Sequence, residues 1–225
     1  MLGFSASMIR SKQLGYQIKL YGCQTTLDYL NGYYDIGVLV DSNQFVFTDD
    51  LKIYIHKNED LNCITIDGDI ILYERLNIPN DCDIIFDRRG KIKNKDFNSK
   101  YYKIFNILRN FNIEDDIKYF DFKGVDAFNV GILKFNNSEI KSNMLSSYDT
   151  IREYFYKNIY PIIGDEMDLS VMFCEYYFSR IIKINNISTK YFSESSSYEH
   201  YFYNKKFSKK YKNDIEKILK NGNVI

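Results

Sequence analysis

Tryptophan is absent from this chain, proline occurs twice and histidine twice, and only four cysteines are present in 225 residues. The cysteines, at 23, 63, 82 and 174, include no C-x-x-C pair, and only two histidines are available to help them, which argues against a structural zinc module. Cys63 and Cys82 lie in apolar runs and read as buried thiols of a reducing compartment. Net charge is also missing: 30 basic residues balance 30 acidic ones, which argues against a protein that coats nucleic acid. No stretch of 18 apolar residues occurs, and no basic segment leads into an apolar one as in a secretory signal. A soluble, cytoplasmic protein is the expectation. The chain has no internal repeat and no long linker.

What is present is a core-forming composition. Hydrophobic residues make up 45% of the chain, and Tyr and Phe alone number 21 and 17. A chain of this size buries roughly 70–75% of its unfolded surface, enough for one sizeable core. The organisation expected is one domain over 1–206 with a C-terminal helix, 207–225, packed on it. Ile, Asn and Lys recur as in proteins of AT-rich genomes, bacterial or viral.

The first third alternates between helical and extended patterns. Phe4 to Lys12 reads as a helix closed by Gly15, Tyr16 to Tyr21 as a strand, and Thr25 to Leu30 as a helix stopped by Gly32. Ile36 to Val40 is an apolar run typical of a strand covered on both faces. Thr48-Asp49-Asp50 offers an N-cap to a helix over Leu51–Lys57, on which His56 reads as an ordinary surface residue. Cys63 to Ile66 follows as a central strand. This succession predicts an α/β fold with a mostly parallel sheet flanked by helices. Further along, Cys82–Phe86 and Ala127–Phe135 read as strands. Tyr101–Phe111, Tyr148–Tyr160, Met167–Ile182 and Ser208–Lys220 read as helices, the last with Ile215, Ile218 and Leu219 on one face.

The segment richest in chemistry is Ile64-Thr-Ile-Asp-Gly-Asp-Ile-Ile-Leu72. Two carboxylates one residue apart beyond a strand can share a hard cation, and oxygen ligands of this kind suit Mg²⁺ or Mn²⁺ holding a diphosphate. Gly68 between them permits a close approach to the backbone. The competing reading of Asp-Gly is a hairpin turn. Glycine within Phe128-Asn-Val-Gly-Ile-Leu-Lys-Phe135 reads as a strand bulge. His200 sits among aromatics, as a packed or surface residue would. The lysines at 205, 206, 209 and 210 read as a solvated basic face that also suits an anionic phosphate or a membrane surface.

Together these segments resemble the GT-A glycosyltransferases of the D-x-D type, in particular the glycogenin and lipopolysaccharide-glycosyltransferase group. The likeness lies in Asp67-Gly-Asp69, in Phe128-Asn-Val-Gly131 downstream, and in His200 followed by Lys205 and Lys206. It implies a Rossmann-like GT-A fold and transfer of a sugar from a nucleotide-sugar donor to a glycan, lipid or protein acceptor. By the same resemblance Asp67, Asp69 and His200 would hold Mn²⁺ or Mg²⁺. Gly68, Gly131, Lys205 and Lys206 would contact the donor. Asn129 and the acidic stretch at Asp165 and Glu166 would orient sugar or acceptor; the last two equally suit a helix N-terminus. Family members begin with a strand that contacts the nucleotide base, whereas this sequence opens on the helix after it. That departure supports a rival expectation, a degenerate domain with a binding or structural role, for which the many aromatics offer contact area. A carboxylate-dependent nuclease or phosphatase ranks lower, because no further acidic cluster accompanies Asp67.

Overall fold

The computed structural model describes residues 2–41, 43, 45, 50–90, 127–158, 160–163, 177–192, 197–200 and 209–222. They form a mixed α/β structure whose sheets are partly parallel. The chain divides into two compact units, one built from 1–44, 66–78 and 192–225 and the other from 45–65 and 79–191.

The first unit opens with α1 (Leu2–Gln13), followed by β1 (Lys19–Gly22), α2 (Gln24–Tyr29) and β2 (Ile36–Leu39). Gly15, at φ +80°, ends α1 in the left-handed conformation that glycine adopts without steric cost, its N–H returning to the Lys12 carbonyl at 2.8 Å. β1 and β2 pair in parallel, Lys19 opposite Ile36, with α2 as the crossover. Asp35 holds the entry to this pair: it accepts the Ile18 N–H at 2.7 Å and faces the Lys12 ammonium at 2.9 Å. Those two contacts hold its carboxyl below the usual range, the Ile18 bond first. The unit is completed by β4 (Ile70–Leu72), antiparallel to β8 (Tyr198–His200), and by α7 (Lys209–Gly222). Ala6 of α1, Ile71 of β4 and Ile215 of α7 form its buried cluster, with Tyr211, Ile218 and Leu219 packed around them.

The second unit carries the larger sheet, in the order β3-β6-β5-β7, where β3 is Thr65–Ile66, β5 Ile84–Gly90, β6 Ala127–Phe135 and β7 Thr189–Tyr191. β5 runs antiparallel to β6 and parallel to β7. Its helices are α3 (Asp50–Asn58), α4 (Ser138–Asn158), α5 (Tyr160–Ile163) and α6 over 177–185. The inner faces meet in aromatic contacts: the Phe86 ring stacks on Phe128 at 4.9 Å, and Tyr148 meets Tyr177 edge-on at 5.6 Å.

Four expectations need correction. The sheets are mixed, because β5–β6 and β4–β8 are antiparallel, so the described strands do not form one mostly parallel central sheet. Among the described strands, the one ending at Ile66 lies at an edge of its sheet, not at the centre, since β6 takes its inner neighbour position and β5 follows. β2 is not covered on both faces: Ile36 and Leu39 are 41% and 62% exposed, because its two-stranded ribbon has no second apolar layer over them among the described residues. His56 is buried at 1% exposure instead of lying at the surface. α3 turns it toward Phe135, whose ring centroid is 5.1 Å away. The segment 101–111 lies outside the described residues.

Candidate functional site

Asp67 directly follows β3, and the turn it opens is closed by the Ile70 N–H bonding to the Asp67 carbonyl at 3.0 Å. The turn does not make a hairpin, because β3 belongs to the four-stranded sheet whereas β4 pairs with β8. Asp67-Gly68-Asp69 therefore redirects the chain from one sheet to another and leaves both carboxylates half-buried at the bend. Gly68 is required here by packing. A Cβ on it would lie 2.2 Å from the Phe4 ring of α1, so an aromatic face fills the space close to this backbone.

The β4–β8 ladder sets Ile70 opposite His200, Ile71 opposite Glu199 and Leu72 opposite Tyr198. His200, remote in sequence, thus pairs with the residue directly after Asp69. Glu199 accepts a bond from the Lys210 ammonium at 2.9 Å, and that pairing raises the lysine pKa. The Lys210 ammonium also lies 5.6 Å from the centre of the Tyr73 ring, whose hydroxyl donates to Asp214 at 3.1 Å. In the first unit the structure therefore joins Asp67, Asp69, the backbone of His200 and one lysine of the basic segment. Asp165, Glu166, Lys205 and Lys206 lie outside the described residues.

Two aspartates on one turn offer carboxylate oxygens of the kind suited to Mn²⁺ or Mg²⁺. Among the described residues no group of three or more His, Cys, Asp or Glu side chains is gathered closely enough to hold a metal ion.

Asn129 and Gly131 belong to the second unit and stand in an irregular stretch of β6. The register passes from Phe86 opposite Leu133 to Arg88 opposite Asn129, so Val130, Gly131 and Ile132 face the single residue Asp87. The Asn129 side-chain oxygen accepts the Gly131 N–H at 3.0 Å and stabilises the bulge. Lys52, on α3, donates to the Val130 carbonyl at 3.2 Å. Asp87 is fully buried, with the Arg88 Nε at 3.2 Å from its carboxylate.

The sequence reading passed over these last groups. An aspartate inside the apolar run Ile84-Ile-Phe86 was the available signal for Asp87, because a charge is rarely buried without partners. Asp50 was expected only to serve a helix N-terminus, yet it is buried at 2% exposure and accepts from the Tyr148 hydroxyl at 2.8 Å, with Arg152 at 3.3 Å. His56 bonds through Nε2 with the Thr65 hydroxyl at 3.1 Å. Burial, reinforced by Lys141, Lys52 and Lys134, lowers its pKa to about 3, so the ring is neutral in the folded protein.

Comparison with known proteins finds no matching protein family, curated protein or solved structure. The chemistry of the sites alone carries the functional reading.

Proposed function

We propose that the chain is a metal-dependent glycosyltransferase of GT-A type, using a nucleotide-sugar donor. The observation that supports this reading is the β4–β8 register, which sets His200 against Ile70, immediately after the Asp67-Gly68-Asp69 turn. Three residue types suited to a hard cation on a diphosphate thereby share one end of a short ladder. Asp67 and Asp69 would supply carboxylate oxygens, and His200 a nitrogen. A bound Mn²⁺ or Mg²⁺ would neutralise charge on the departing diphosphate. Lys205 and Lys206, in the sequence just beyond β8, would add positive charge to the same group.

A second reading, a binding or structural domain without catalysis, is favoured by one observation. The Asn129 carboxamide oxygen is occupied by the Gly131 N–H, so this part of the motif serves the bulge itself. Calorimetric titration of UDP and GDP, with and without Mn²⁺, separates the two. An enzyme of the proposed kind binds one nucleotide only with metal, and Asp69→Ala loses that binding by tenfold or more while melting at the wild-type temperature. A folded protein that binds neither nucleotide belongs to the second reading.

A further inference from the structure

The outer face of α7 is occupied by lysine. The helix carries five lysines against Asp214 and Glu216, in a chain whose overall charge is zero. At about 100° per residue, Lys209, Lys217 and Lys220 fall within roughly 80° of arc. Tyr211, Ile215 and Ile218 lie on the opposite side and pack on the cluster containing Ala6 and Ile71. The docked apolar face therefore aims the three lysines outward, and all three are exposed. Lys212 is exposed as well.

These lysines are not used by the fold. Lys210 is tied to Glu199 and Tyr73, whereas Lys209, Lys212, Lys217 and Lys220 make no ion pair among the described residues. The single exposed acid on this side is Glu216, and Asp214 accepts the Tyr73 hydroxyl. Four ammonium groups with no ion pair among the described residues repel one another on one helix, a cost that an anionic surface removes.

We infer that the lysine face of α7 docks the protein on an anionic phospholipid surface. The chemistry favours lipid over nucleic acid. The face contains no arginine, whose planar fork reads phosphates and bases in pairs, and no exposed aromatic ring on which bases stack. Lysines are hydrated point charges that suit a diffuse array of headgroup phosphates and carboxylates. The apolar side of α7 is already committed to the core, so attachment is electrostatic and peripheral, without insertion. Each lysine near such a surface contributes about a fivefold gain in partitioning, and the attraction fades within a Debye length of about 8 Å at physiological salt. This inference stands apart from the glycosyltransferase reading and does not need the Asp67–Asp69 site.

Co-sedimentation of the full chain with vesicles tests it. The probes are phosphatidylcholine alone and phosphatidylcholine with about a third phosphatidylserine. Binding to the mixed vesicles at low salt, absent with phosphatidylcholine alone and released by high salt, is expected. Lys209→Gln with Lys217→Gln and Lys220→Gln should lower partitioning about 100-fold, and the same positions changed to arginine should retain it. Lys157→Gln, on an exposed position of the second unit, serves as the control and should leave partitioning unchanged. The inference fails if the folded wild-type protein ignores phosphatidylserine, or if the triple glutamine variant binds as tightly as wild type. It also fails if a short DNA or RNA duplex displaces the protein from the vesicles at equal phosphate concentration, which would assign the face to nucleic acid.

Discussion

His56 shows how much one side chain can cost or supply once its surroundings are known. Its ring is buried, neutral, bonded to the Thr65 hydroxyl and edge-on to Phe135, with lysines 52, 134 and 141 all opposing its protonation. The folded value near 3 lies below the ordinary histidine value of 6.5, so the unfolded chain binds the extra proton between those limits. The stabilisation from neutral His56 is complete above about pH 6.5 and is lost progressively as pH falls toward 3, with a slope of at most about 1.4 kcal/mol per pH unit. Denaturant titrations at neutral and mildly acid pH should show the midpoint falling with acid. His56→Leu should flatten that dependence, and an unchanged slope in the variant would remove His56 as its cause. Asp50 in the same unit illustrates another solution, a buried carboxylate partnered by a tyrosine hydroxyl and a guanidinium.

At the scale of elements, caps and glycines explain where structure starts and stops. Gly15 and Gly32, both at positive φ, end the first two helices where sequence reasoning placed those stops. α4 begins ten residues earlier than its periodicity announced, at Ser138 instead of Tyr148. The reason is Asn137, whose side-chain oxygen accepts the N–H groups of Glu139 and Ile140 at 3.0 and 3.2 Å. Its amide nitrogen donates in turn to Asp83 at 2.9 Å, which also takes the Ser188 N–H and hydroxyl. One asparagine thus joins a helix start to the strand β5 and the entry to β7. Asn137→Ala should destabilise the protein by about 1–2 kcal/mol, read as a drop in the thermal midpoint; no measurable drop would deny the cap an energetic role. The same scale explains the Asp67-Gly68-Asp69 bend. A dipeptide that ordinarily joins paired strands here separates strands of different sheets, because the partner of β4 arrives from residues 198–200.

For the whole molecule, the first unit gathers three separate stretches of the chain, so it closes only when residues 192–225 return to residues 1–44. Contacts of that separation carry a loop-closure cost before they are rewarded, which predicts slow, late formation of this unit. Removing residues after Tyr191 takes away both the partner of β4 and the Ile215 side of the buried cluster. The truncated chain should expose Ala6 and Ile71, bind a hydrophobic dye, and lose amide protection over residues 2–13 and 70–72. Retained protection there would mean that α7 and β8 are dispensable to the unit. Among the described residues no helix is long and apolar enough to cross a membrane.

The sequence by itself determined what depends on neighbours within a turn or two. Periodicity and glycine punctuation located α1, α2, α3, β6 and α7 to within a few residues, and the spacing of Ile215, Ile218 and Leu219 named the docked face of α7. Two acidic residues one apart marked Asp67 and Asp69 as candidates for a cation. Tertiary structure alone decided which strands pair, since β4–β8 and β5–β7 join segments more than a hundred residues apart. No local pattern encodes such a partner. It decided equally that His56, Asp50 and Asp87 are interior, because burial of a polar group depends on what folds over it and on whether that neighbour supplies the missing hydrogen bond.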